Sequence, residues 1–258
     1  MHSINKEWLT AIKDLAQNGK SVSPRGRQVY ELTSYQTVVD MNYPILTIPE
    51  REIGYKFMAA EAAWILSGDN RVSTIEPYAK AIKQFSDDGI TYHGAYGPKI
   101  RDQLHYVANC LIKDKDSRQA VINIWRENPP ETKDVPCTLS IQFIIRDGML
   151  HCLDTMRSSD IWLGWPYDIF NMSMLSRYLL AYMRQAGTLG IQLGNVYLTA
   201  GSQHLYEIHR QQATEIIAAN VHEFGWHDFN LPSFTMNCDQ MVDWLWEVAE
   251  HGTLTTGD

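Results

Sequence analysis

Cys137 follows Val135-Pro136 at the entrance to a strand pattern, where a thiol can be held rigidly and still open onto the end of a sheet. A cysteine taken alone is more often a small buried hydrophobe, so its surroundings decide. Arg157-Ser158-Ser159-Asp160 lies about twenty residues on, at the end of the next strand pattern. An arginine brought beside the sulfur stabilises the thiolate and is expected to lower its pKa below the free value of about 8.5. A thiolate so placed is a nucleophile for covalent catalysis, which divides one hard step into two easier ones. Glu61 is the second candidate, because it interrupts an otherwise apolar helical run. Burial there raises a carboxyl pKa toward neutrality, as a proton shuttle requires. The plainer reading of Glu61 is a polar residue on a narrow exposed stripe.

These groups must be positioned by regular elements. Trp8, Ile12 and Leu15 recur at helical spacing up to Gly19, and a polar loop, residues 21–27, follows. Residues 51–67 carry Phe57, Met58, Trp64, Ile65 and Leu66 among alanines, a largely buried helix. Ile100, Leu104, Val107 and Leu111 mark another helix, and residues 120–125 read as a strand. Strands over 139–145 and 149–156 flank Asp147-Gly148, a type I′ hairpin signal. A helix over 171–184 closed by Gly187, a strand over 191–198 and a last strong helix over 204–219 complete the pattern. Strands and helices mix without strict alternation, which favours α+β, and neither a dinucleotide fingerprint nor a Walker loop occurs.

The bulk numbers bound the partners. The 258 residues suit one domain, 1–258, and 45% hydrophobic with 20% charged residues is an ordinary globular balance. A net charge of −8 argues against direct nucleic-acid binding, so an anionic substrate must meet a local arginine cluster. Cysteines 110, 137, 152 and 238 lack CxxC spacing, which suggests neither a zinc site nor a redox pair. Free thiols, an N-terminus without a signal-peptide core and the lack of a membrane-length apolar run make a cytoplasmic protein the expectation.

Pro136-Cys137, the block Met156 to Asp168 (Met-Arg-Ser-Ser-Asp-Ile-Trp-Leu-Gly-Trp-Pro-Tyr-Asp) and Gly201-Ser202-Gln203-His204-Leu205-Tyr206 together resemble the three signature blocks of thymidylate synthase, in order and nearly at its spacing. The resemblance runs from about residue 20 to residue 210 and is supported by Glu61 in Glu-x-x-Trp, Tyr96-Gly97 and Ser117-Arg118. It implies an α+β fold whose sheets pack back to back in a homodimer with shared active sites. It also implies 5,10-methylenetetrahydrofolate as cosubstrate, a pyrimidine nucleoside monophosphate as substrate, and no metal. By that analogy Cys137 adds to pyrimidine C6. Arg157 and Ser158 hold the phosphate, helped by Arg25 or alternatively Arg27, and by Arg118 reaching in from the partner subunit. His204 and Tyr206 bind the sugar 3′ hydroxyl, Asp160 and Gly164 meet the folate, and Glu61 and Tyr96 belong to the catalytic set.

Three departures point to a branch of the family. Asp168 stands where the synthase has asparagine, Thr138 where it has histidine and Met156 where it has glutamine, all similar to the phage-type deoxycytidylate hydroxymethylases. A carboxylate accepts from cytosine N4–H and from N3 once protonated, while it would face uracil O4 acceptor to acceptor. The expectation is therefore a CMP or dCMP 5-hydroxymethyltransferase, the alternative a C5-methyltransferase acting on (d)CMP or dUMP. Gln119 replaces a second partner-donated arginine, leaving Arg27 or Arg126 to compensate. The polar tail 252–258 lacks the synthase's apolar closing segment, so the site is expected to be wetter and to favour water as terminating nucleophile. Two other classes compete. A Cys137/His204 hydrolase lacks that class's local signatures, and a non-catalytic nucleotide or RNA binder would need neither a thiol nor a proton relay.

Overall fold

Trp8, Ala11, Ile12 and Leu15 share one buried face of the opening helix, and that face lies on a sheet built from strands far apart in the chain. The computed structural model describes residues 2–219, 231–233 and 235–252. In chain order the elements are α1 (Ile4–Asn18), β1 (Lys20–Val22), β2 (Val29–Asp40), α2 (Tyr55–Leu66), α3 (Val72–Ile75), α4 (Tyr96–Lys113) and β3 (Val121–Asn123). They continue with β4 (Thr138–Arg146), β5 (Met149–Asp160), α5 (Trp165–Gln185), β6 (Gln192–Tyr206), α6 (Glu207–Ala218) and α7 (Cys238–His251). The described helices include none long and apolar enough to cross a membrane.

The sheet has six strands in the order β1-β2-β6-β5-β4-β3. Every pairing is antiparallel except β5 with β6, which run parallel. A parallel pair needs a long crossover, and α5 supplies it. The architecture is α+β, a mixed sheet flanked by helices, as the sequence implied. Asp147 and Gly148 both take positive φ, 53° and 73°, so the β4–β5 hairpin closes through the turn that Asp-Gly favours. Along β5 the alternation points Cys152, Asp154 and Met156 inward, at 0%, 1% and 2% exposure.

Several boundaries differ from the sequence reading. Residues 204–206 extend β6 and are not helical, because His204 pairs with Glu31 of β2 and Asp160 of β5, and two ladders outweigh a local helical pattern. Helix α6 therefore starts at Glu207, and it is not the last helix, since α7 follows with an Asn237/Gln240 capping box. Helix α5 begins at Trp165, six residues early, with Pro166 in its first turn where a missing N–H costs nothing. The 51–67 stretch opens as a 3₁₀ turn, Pro49–Arg51, before α2, and the strand over 120–125 is shorter at Val121–Asn123. Strand β2 lay unassigned in the sequence because its outer half alternates polar residues. Beyond Gly252 the polar tail lies outside the described residues.

Candidate active site

Cys137 immediately precedes β4, and Arg157 near the end of β5 is brought beside it by the hairpin register that sets Thr138 against Met156. The backbone N–H of Arg157 donates to the Cys137 carbonyl at 2.8 Å. Its guanidinium donates to the Pro136 and Val135 carbonyls at 2.9 and 3.0 Å, to Ser158 Oγ at 3.2 Å, and to Cys137 Sγ at 3.6 Å. Ser158 Oγ lies 3.9 Å from the same sulfur. The rigid guanidinium fork thus fixes the strand entrance and the Cys137 thiol together. Gly201 on β6 makes this approach possible, since a Cβ there would stand 2.9 Å from the Arg157 carbonyl.

The thiol's electrostatics correct the sequence expectation. Burial pushes the Cys137 pKa up, and the charge of Asp168 adds to it, while Arg157, Ser158 and Arg25 only oppose. The net direction is upward, because desolvation outweighs one half-buried guanidinium. Asp168 itself is held well above the carboxylate range by desolvation and by Asp154, Glu61 and Asp160.

A cavity of about 700 Å³ is lined by Arg25, Arg27, Tyr96, Cys137, Met156, Arg157, Ser158, Asp160, Gly164, Asp168, His204 and Tyr206, among others. The sequence left Arg25 and Arg27 as alternatives, and the structure brings both to this rim. Arg25 sits at φ 52° inside the Pro24–Gly26 turn. His204 and Tyr206, two apart on β6, stand edge to face at 5.4 Å. Asp160 Oδ1 accepts from the N–H groups of Trp162 and Leu163 at 2.9 and 3.0 Å, shaping the turn into α5. Gly164 caps that helix, and a Cβ there would come within 3.4 Å of Asp168 Oδ2. Exposed apolar side chains, Phe85, Leu163 and Ile208, form the outer wall.

A second chamber of about 220 Å³ shares Phe85, Tyr96, Cys137 and Asp168 with the first and contains Glu61, Trp64, Asp134 and Asn171. Glu61 Oε2 accepts from Asn171 Nδ2 at 2.8 Å. Burial raises the Glu61 pKa to about 7, with Asn171 pulling the other way. Tyr96 at the start of α4 accepts from the Thr138 N–H at 3.0 Å, and burial raises its phenol. Gly97 beside it is required by space, since a Cβ would stand 2.7 Å from the Asp69 carbonyl. Arg118 is not part of either chamber: it is exposed and lines a separate cavity with His105, Asn109 and Gln119. Among the described residues no three His, Cys, Asp or Glu side chains group as metal ligands.

The thymidylate synthase family model matches residues 6–243. This chain belongs to the thymidylate synthase family. Among its relatives are two proteins named deoxyuridylate hydroxymethyltransferase. The one from Bacillus phage SP01 is 30% identical over 223 residues, 77% of this chain and 56% of that protein. The one from Pseudomonas phage M6 is 31% identical over 173 residues, 63% and 48% respectively. The chain therefore spans about half the length of these curated relatives.

At and behind this thymidylate synthase family site two groups escaped the sequence reading. Asn171 lies three residues after Asp168 on one face of α5, a spacing that places it beside the same chamber. Asp154 occupies a core position of β5, and the period-2 alternation from Cys152 to Met156 was the signal that could have found it.

Proposed function

We propose that this chain transfers a one-carbon unit from methylenetetrahydrofolate to C5 of a pyrimidine nucleoside monophosphate and leaves it as hydroxymethyl, with CMP or dCMP as the substrate. The observation that carries this reading is the seat of Cys137: a thiol 3.6 Å from Arg157 Nη2 at the junction of a cationic chamber and a carboxyl-lined one. The phosphate meets Arg157, Ser158 and Arg25, whose forks bind it bidentately. His204 and Tyr206 hold the sugar, and Asp160, Gly164 and the apolar outer wall receive the folate.

Thiolate addition at C6 turns C5 into a nucleophile. C5 attacks the folate methylene, its proton leaves, tetrahydrofolate is expelled, water adds to the exocyclic methylene, and the thiolate departs from C6. Glu61, near pKa 7, suits proton transfer around C4 and C5. Asp168 reads the base edge: as a neutral acid it donates to cytosine N3 and accepts from N4–H, and passing its proton to N3 leaves a carboxylate facing two donors. The relatives' names support hydroxymethyl over methyl transfer.

A uridine nucleotide is the second reading, favoured by those same names and by the upward shift of Asp168, since a protonated carboxyl also fits uracil O4 and N3–H. Incubation with CMP, dCMP, UMP and dUMP plus methylenetetrahydrofolate, followed by product mass, separates the readings. A hydroxymethylated cytidylate is expected. A hydroxymethylated uridylate alone selects the second reading, and no folate-dependent product from any of the four removes both.

Arg118 lies outside the cavity within one chain, which supports its donation across a homodimer. Mixed Arg118→Ala and Cys137→Ala chains should then recover activity in heterodimers. No recovery after demonstrated subunit exchange would count against shared sites.

A further inference from the structure

Asn171 is an amide set into an apolar stretch of α5. Phe170, Met172, Met174 and Leu175 around it are buried, and Asn171 itself is 5% exposed. Its Nδ2 donates to Glu61 Oε2 at 2.8 Å, while among the described residues its Oδ1 has no hydrogen-bond partner. An apolar residue would fill this place without leaving a carbonyl buried and unpaired, so packing alone disfavours the amide. Its use is the bond to Glu61.

Glu61 stands on α2 between the buried Ala60 and Ala62, yet it keeps some exposure and lines the inner chamber. Among the described residues Asn171 is the one side chain bonded to its carboxyl, and no ion pair engages it. A carboxyl gripped by one oxygen has a fixed orientation and a free second oxygen, and Tyr96, Cys137 and Asp168 line the space around it. The type of the donor matters as well. A lysine or arginine in this place would pin Glu61 in its ionised form, and a second acid would keep it protonated. The neutral amide opposes burial only in part, so Glu61 stays near pKa 7 with an exchangeable proton.

We propose that Asn171 is the positioning residue for proton transfer, its amide holding one Glu61 oxygen so that the other faces C4 and C5 of the bound pyrimidine. This rests on the reading of Glu61 as the group that moves protons there. Asp168 and Asn171, three apart on one face of α5, tie the residue assigned to the base edge and the one that orients Glu61 to a single rigid element. The titratable groups sharing the chamber with Glu61 are Asp168 from α5, Tyr96 from α4, Tyr92 from the loop before α4, and Asp134 and Cys137 from the loop before β4. Helix α7 also packs on α2, but none of its described residues lines the chamber. None of the groups named is a cation, which leaves the amide to support the ionised form.

The test uses the full chain with Asn171→Leu, which keeps the bulk and removes the donor, and Asn171→Ala, which folds even if leucine is poorly accommodated. The Glu61 carboxyl band is isolated as the infrared difference between each protein and its Glu61→Gln counterpart and followed with pH. Glu61 should titrate about one pH unit higher without the amide, a tenfold change in its acid constant. The pH limb of kcat for dCMP should move up with it, and kcat at its optimum should fall about 10-fold to 10²-fold, the scale of a misplaced catalytic group. KM for the nucleotide, set in the arginine chamber, should stay unchanged. A Glu61 titration unmoved in every folded variant, or one that moves without the kcat limb, would overturn the proposal and leave Asn171 a packing residue. If the parent protein turns over no pyrimidine nucleotide, the functional reading fails and the proton-transfer role with it, while the infrared titration still decides whether Asn171 governs Glu61.

Discussion

The two chambers that meet at Cys137 are built on opposite electrostatic rules. The outer one is rimmed by Arg25, Arg27 and Arg157, cations with access to water. The inner chamber is lined by desolvated carboxyls, among them Glu61, raised to about 7, and Asp168, held well above the carboxylate range, with burial the first cause in each. A solvated cation cluster attracts a dianion through charge and needs no pKa change. Desolvated carboxyls instead act by holding or releasing a proton, which is what recognition of a heterocycle edge and proton transfer at C4 and C5 demand. The Cys137 thiol sits between the regimes, raised by burial and by Asp168 and lowered by Arg157 and Arg25.

The largest expected effect breaks the junction itself. Cys137→Ser should abolish turnover and C5 proton exchange while nucleotide affinity stays within about tenfold, because a hydroxyl keeps the shape but is a far weaker nucleophile. Retained turnover, measured by release of label from C5, would remove covalent catalysis and leave both chambers as binding surfaces.

Asp168→Asn sharpens the inner wall. The amide still pairs with either base edge but cannot give cytosine N3 a proton, so the loss for cytidylate should fall on kcat. Preference in kcat/KM should swing toward the matching uridine nucleotide by at least about 10²-fold, the low end of what a positioned proton donor contributes. An unaltered preference would show that the base is read elsewhere. The outer chamber predicts no comparable swing, since Arg25 and Arg157 treat both nucleotides alike.

The smallest effect is on stability. Glu61 titrates near 4.5 unfolded and about 7 folded, so between these values the native state holds more protons than the unfolded one. Its contribution is therefore fully present below about 4.5 and is lost as pH rises through about 7. Each pKa unit is worth about 1.4 kcal/mol, and partial access to the cavity reduces the total to on the order of 1–2 kcal/mol. Glu61→Gln should flatten that part of the stability profile in denaturant titrations at pH 5 and pH 8. A parallel profile would mean that Glu61 is hydrated, as an outer-chamber group would be.

Much of the outer chamber was legible in the sequence, because Cys137, Arg157, Ser158, His204 and Tyr206 lie in blocks whose spacing resembles the family's and whose types suit an anion and a sugar. The α+β class followed from strand and helix periodicity. The inner wall was only half legible. Glu61 and Asp168 were singled out as residues, but Asn171 was not, since its place beside Glu61 comes from the packing of α5 against α2 rather than from local pattern. The sequence also suggested a depressed thiol pKa from one arginine, and the opposite direction came from burial, which no local spacing reveals. Residues 204–206 read as helical because helical periodicity ignores distant pairing partners, here Val29, Tyr30 and Glu31 on β2 and Asp160 on β5.

The central claim is that Cys137 bonds to pyrimidine C6 during one-carbon transfer, and trapping tests it most directly. A 5-fluoro-substituted cytidylate cannot release a C5 proton, so the adduct should accumulate when methylenetetrahydrofolate is present. Intact mass followed by peptide mapping should find nucleotide and folate together on the peptide containing Cys137, and none on the Cys137→Ser protein. Folate-dependent turnover of the unfluorinated nucleotide with no adduct, or with the label on another residue, would contradict the account.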